Sequence, residues 1–131
     1  MDCILLGRKL AEGFIPVWES RLVNPDGEEM SFIRKMNVTR RIVFSKSISQ
    51  SGWKNAEINS GDLVTEIKKL KQQKSGDMIM YGGANFVSNV AQANLIDEYH
   101  LFFHPAAIGR GLAPFSSHLN LERVQSIAFR C

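Results

Sequence analysis

Three short stretches hold residues whose types and spacing suit an anionic ligand: Gly7-Arg8-Lys9, Ser45-Lys46 and Gly82-Gly83-Ala84-Asn85-Phe86. The first follows an apolar run and opens a predicted helix. Cations at a helix N-terminus oppose the macrodipole, at a cost of about 0.3–1 kcal/mol each when exposed. A bound anion reverses that sign, because backbone N–H groups and side chains then point at it together. The alternative is that Arg8 reaches solvent or a surface carboxylate. Ser45-Lys46 places a hydroxyl and an ammonium after a second apolar run, which fits a phosphate or simply a polar strand end. At Gly82-Gly83, small residues admit close backbone approach, and the helix that follows offers N–H donors to a pyrophosphate. The third glycine of the dinucleotide fingerprint is missing, so a tight strand-to-helix turn explains this stretch as well. Taken together, the three suit one nucleotide site better than three unrelated features.

Other candidate chemistry is weaker. His100 and His104 lie four apart among Tyr99, Leu101, Phe102 and Phe103, which read as a strand. Four strand residues span roughly 13 Å, too far for two ligands of one metal. With His118 alone elsewhere and the two cysteines, Cys3 and Cys131, near the chain ends, a metal site is rejected. Lys68, Lys69, Lys71 and Lys74, with Arg34, Lys35, Arg40 and Arg41, suggest a nucleic-acid footprint. Glu57, Asp62 and Glu66 dilute that field and no aromatic platform interleaves it, so a solvated helix face is the better reading.

The elements that must position these residues alternate along the chain. Strands are predicted at Cys3-Ile4-Leu5-Leu6, Arg41-Ile42-Val43-Phe44, Ala56-Glu57-Ile58, Met78-Ile79-Met80-Tyr81, Glu98 to His104 and Val124 to Phe129. Leu63, Ile67 and Leu70 recur at helical spacing from Asp62 to Gln73, with Asp62 as N-cap and Gly76 at the exit. Phe86, Val90 and Ala93 repeat the spacing from Ala84 to Asn94. Between Glu19 and Asn37 the chain reads as a surface excursion around the turn sequence Asn24-Pro25-Asp26-Gly27. Strands alternating with helices imply crossovers and a mainly parallel sheet, whose ligands bind beyond the carboxyl ends of the strands.

The composition agrees with one globular domain over residues 1–131. The chain is 44% apolar and 22% charged, and sixteen Lys plus Arg against thirteen Asp plus Glu leave a net charge of +3. No apolar run approaches the roughly 20 residues of a membrane-spanning helix, and no secretory signal opens the chain. Two cysteines without such a signal point to a reducing cytoplasm.

Several motifs in order carry a family resemblance. Ile4-Leu5-Leu6-Gly7-Arg8-Lys9, Val43-Phe44-Ser45-Lys46, Met80-Tyr81-Gly82-Gly83-Ala84, Leu95-Ile96-Asp97-Glu98-Tyr99 and the segment Pro105 to Phe115 cover nearly the whole chain. Together they resemble the dihydrofolate-reductase-like family that includes the reductase domain of bacterial riboflavin-biosynthesis deaminase-reductases. The resemblance implies a three-layer α/β fold with a mainly parallel sheet flanked by helices, short of the family's N-terminal strand and its last C-terminal strand. It implies NADPH as hydride donor and a pteridine-like or phosphoribosylamino-pyrimidine substrate. Carried over by position, Gly7, Arg8 and Lys9 meet the phosphate side of the cofactor, and Ser45 and Lys46 lie near the adenosine 2′-phosphate. Tyr81, Gly82, Gly83, Ala84, Asn85 and Phe86 belong to the pyrophosphate and nicotinamide half, with a cis bond between the two glycines. Where the family usually has threonine after Gly-Arg-Lys, this chain has Leu10. No residue matches the family's proton-handling carboxylate, so neither Glu12 nor Asp97 is assigned. The resemblance further implies a homodimer, while the diluted charge field and the lack of a long apolar run argue against a nucleic-acid or membrane partner. The alternative is a truncated or degenerate member that binds nucleotide, or only dimerises, without turnover.

Overall fold

A computed structural model describes residues 1–22, 29–73 and 76–129. Four strands, β1 (Cys3–Gly7), β2 (Arg40–Phe44), β3 (Ala56–Asn59) and β4 (Met78–Met80), pair in the order β3-β2-β1-β4, every pair parallel. Four helices accompany them: α1 (Arg8–Ser20), α2 (Met30–Val38), α3 (Leu63–Gln72) and α4 (Ala84–Gln92).

The apolar run Cys3 to Leu6 is buried throughout because alternate side chains enter two cores. Cys3 and Leu5 pack with Ile42, Ile67, Leu70 and Val90, which is the layer of α3 and α4. Ile4 and Leu6 pack with Val43, Ala11, Ile15 and Met36, which is the layer of α1 and α2. Register fixes this division: Leu5 stands opposite Ile42, and Leu6 opposite Val43. The chain is therefore a three-layer α/β fold, as the resemblance implies. Leu10 packs against the α1 and α2 core, which gives a physical reason for leucine at that position.

The ends of the later helices are specified locally. Asp62 caps α3 by accepting from the Thr65 amide at 3.0 Å. Beyond α4, Asn94 adopts a left-handed φ of 53°, while Asn94 and Leu95 donate to the Ala91 and Val90 carbonyls. Those two bonds form a Schellman closure with asparagine in the usual glycine position.

Several expectations need correction. Where it is described, the span from Glu19 to Asn37 is mostly helical and not an irregular excursion: α1 runs through Ser20, and α2 buries Ile33 and Met36. Its i, i+3 stripe was too short to stand out among polar neighbours. The turn sequence 24–27 lies outside the described residues. Neither Glu98 to His104 nor Val124 to Phe129 forms a strand, because β-propensity is realised only with a ladder partner and neither segment has one among the described residues. Gly76 does not terminate α3 in a left-handed conformation; its amide donates to the Asp2 carboxylate at 2.6 Å. The Gly82–Gly83 bond is trans, and the corner turns through positive φ at both glycines, +54° and +81°. Strand β4 ends at Met80 and α4 at Gln92, short of the ends read from the sequence.

Candidate functional site

Because all four strands run the same way, the loops after Gly7, Phe44, Asn59 and Met80 share one edge of the sheet. Winding reverses on that edge. Helices α1 and α2 connect β1 to β2 on one face, while α3 returns the chain from β3 to β4 on the other. The neighbouring strands β1 and β4 thus send their following helices to opposite faces. That switch point is where open α/β sheets bind ligands.

Two helix N-termini meet there. No side chain caps α1 behind Gly7 or α4 behind Gly83 among the described residues, whereas Asp62 caps α3. Uncapped first-turn amides are available to an anion. A Cβ built on Gly82 would meet nothing within 4 Å, so the backbone of this corner is open to close approach.

Beside the switch point lies an open cavity of about 330 Å³ at the ends of β2 and β3. Phe44, Ser45 and Lys46 line it from the end of β2 and the residues after it, and Asn59, Gly61, Asp62 and Leu63 from the end of β3 through the start of α3. Phe86 and Asn89 complete it from α4. The Phe44 and Phe86 rings lie 5.6 Å apart and form its apolar wall. Ser45 Oγ accepts from the Ser47 and Ile48 amides at 3.2 and 3.3 Å, so its hydroxyl shapes its own turn. Lys46 forms no ion pair among the described residues. The Thr65 amide and hydroxyl, with a smaller contribution from Lys46, hold the Asp62 carboxyl below its ordinary range. This volume suits one nucleotide half and is too small for a whole dinucleotide.

Of the residues read from the sequence, Ser45, Lys46 and Phe86 line this cavity. Gly7 abuts Phe86 and so joins the first corner to the third. Arg8 reaches Glu12 at 2.6 Å, the surface carboxylate offered as its alternative, and Lys9 is exposed. Tyr81 turns to the opposite face, where its ring lies 5.4 Å from that of Phe14. Gly82, Gly83, Ala84 and Asn85 form the β4–α4 corner and do not line the cavity. Sequence reasoning missed Asn59, Gly61 and Asp62, although the same rule about carboxyl ends, applied to the third run, would have found them. Asn89 follows Phe86 by three residues and so shares its helix face.

The discarded candidates are also placed. Lys69 pairs with Glu66 and Lys71 with Asp97, while Lys74 lies outside the described residues. His100 pairs with Glu98, and no cluster of three His, Cys, Asp or Glu that could hold a metal occurs among the described residues. No helix among them is long and apolar enough to cross a membrane.

A doubly wound, three-layer sheet with an open carboxyl edge defines a class of ligand-binding α/β domain. The sequence signature of the RibD C-terminal domain matches residues 1–130, and the chain belongs to that family. It is also similar to YyaP of Bacillus subtilis (strain 168), a protein described as uncharacterized. That relative is 30% identical over 135 residues, covering 98% of this chain and 69% of YyaP.

Proposed function

We propose that the chain is an NADPH-dependent reductase acting on a pteridine-like or phosphoribosylamino-pyrimidine compound of riboflavin biosynthesis. The observation that carries this reading is the convergence of two uncapped helix N-termini, α1 and α4, at the β1/β4 switch point. The first-turn amides of those helices would hold the pyrophosphate, with Gly82 permitting its approach. The cavity beside them would take the adenosine half between Phe44 and Phe86, with Lys46 toward its phosphate. When bound, the cofactor supplies the hydride; the protein supplies position and charge. Titration with NADPH, followed by loss of reduced-nicotinamide absorbance across a substrate panel, tests the proposal. Absence of NADPH binding defeats it.

A second reading is a family member that binds nucleotide without turnover. It is favoured by the lack of a ready proton donor among the described residues at the cavity. Asp62 is the one carboxylate lining the cavity and is held ionised, and Glu12 is engaged by Arg8. Binding with no oxidation on any substrate supports it. The proposal also includes a homodimer in a reducing cytoplasm. The outer edge of β4 is unpaired among the described residues, and Phe103 and Val124 stand 87% and 91% exposed. Sedimentation at micromolar concentration should give twice the chain mass.

A further inference from the structure

The cavity beside Lys46 has a charge balance that bears on which dinucleotide it takes, an argument that rests on the nucleotide reading above. A ribose 2′-phosphate brings nearly two negative charges and requires converging donors. The cavity supplies few. Asn59 is spent at both ends, its Nδ2 donating to Glu66 at 3.2 Å and its Oδ1 accepting from the Gly61 amide at 2.9 Å. The amide and hydroxyl of Thr65 both serve Asp62 Oδ2, at 3.0 and 2.8 Å. The Ser45 hydroxyl accepts from its own loop and lies 3.1 Å from Ser47 Oγ, so its proton and the Asn89 side-chain amide, which makes no hydrogen bond among the described residues, are the neutral side-chain donors left in the lining. Lys46 is then the cation of the lining, and Asp62 its opposing carboxylate.

A carboxylate accepts hydrogen bonds from ribose hydroxyls and repels a phosphate in the same place. The Oδ1 atom of Asp62 makes no hydrogen bond among the described residues and remains available for the first role. We propose that Asp62 is a specificity-determining residue of this cavity, placed to accept a ribose hydroxyl and to oppose a 2′-phosphate drawn to Lys46. The chain then takes NADH as well as NADPH, and its discrimination between them is narrow.

The test is binding, read by reduced-nicotinamide fluorescence, of NADPH and NADH to the wild-type chain and to Asp62→Asn and Lys46→Met. Asparagine caps a helix as well as aspartate does, so Asp62→Asn keeps α3; Asp62→Ser, a second good cap, serves as a replicate. Wild type should bind the two dinucleotides within about tenfold of each other, and Asp62→Asn should strengthen NADPH by about three- to tenfold without strengthening NADH. Lys46→Met should weaken NADPH selectively. The proposal is overturned if Asp62→Asn and Asp62→Ser leave the NADPH/NADH ratio unchanged, or if wild type prefers NADPH by more than about a hundredfold. Failure of the wild-type chain to bind either dinucleotide overturns the reductase reading as well, which separates the two failures.

Discussion

Gly7 and Phe86 touch where the first strand ends and the last helix begins. A Cβ on Gly7 would stand 3.2 Å from Phe86 Cβ and 3.4 Å from its Cγ. Glycine is needed here for space, since the Gly7 dihedrals, φ −77° and ψ 154°, suit any residue. Gly7→Ala must displace the first turn of α4, because the Cβ of Phe86 moves only with its backbone. Overpacking of this kind should cost about 1–2 kcal/mol in urea denaturation and weaken NADPH binding in parallel. Unchanged stability and affinity would show that α4 shifts freely and that the two corners are uncoupled.

Gly82 and Gly83 are constrained by dihedral angle instead of space. Both have positive φ, and neither has a neighbour closer to a built Cβ than 3.7 Å. Alanine at either position should cost about 1–2 kcal/mol through left-handed backbone strain. Gly13 provides the contrast, since it lies inside α1 with nothing within 4 Å of a built Cβ. Gly13→Ala should stabilise the chain by roughly 0.5–1 kcal/mol. Urea midpoints of the three single variants should therefore move in opposite directions.

Arg41 is 1% exposed, yet its guanidinium donates to the Met36 carbonyl at 2.8 Å, Asn37 Oδ1 at 3.1 Å and the Lys54 carbonyl at 3.4 Å. Glu19 lies 3.8 Å away, beyond hydrogen-bond reach, so burial outweighs the pair and lowers the Arg41 pKa. This side chain ties α2 and the β2–β3 connection to the sheet. Arg41→Met should cost about 3–5 kcal/mol, because it strands acceptors that water cannot easily reach. Glu19→Gln should cost far less. Equal losses in denaturation experiments would mean that the ion pair, not the hydrogen bonds, carries the stabilisation.

Much of this architecture was legible because its signals are local. Cys3 to Leu6 and Arg41 to Phe44 read as doubly buried strands, and Asp62 read as an N-cap. Less legible were features decided by distant partners. The segment Glu98 to His104 reads as a strand from its aromatic and apolar run, but such a run does not supply a neighbouring ladder. Arg41 read both as the head of a buried run and as one cation of a basic footprint, because only tertiary structure brings the Met36 and Lys54 carbonyls to it. In the candidate site, sequence order found the corners after β1, β2 and β4 but not which way their side chains turn. Tyr81 follows Met80 by one residue and so faces the opposite layer, away from the cavity.

Stability should fall at both ends of the pH range, for different groups. Thr65 holds the Asp62 carboxyl down, the Arg40 hydrogen bonds lower Glu57, and Lys69 and Asn59 lower Glu66. Each carboxylate binds its proton more weakly folded than unfolded. Their contribution is complete above the ordinary carboxylate pKa of about 4 and is lost as pH falls through the depressed folded values. Cys3 acts in the other direction, since burial raises its thiol pKa. The neutral thiol favours the folded chain below the ordinary value of about 8.5, and that advantage fades as pH rises through the raised folded pKa. Urea midpoints followed across pH should therefore form a plateau with an acid limb and an alkaline limb. Asp62→Asn should shallow the acid limb alone, and Cys3→Ala should flatten the alkaline limb while lowering the plateau through its lost core volume. An acid limb unaltered in Asp62→Asn would show that the Thr65 cap does not depend on the charge of residue 62.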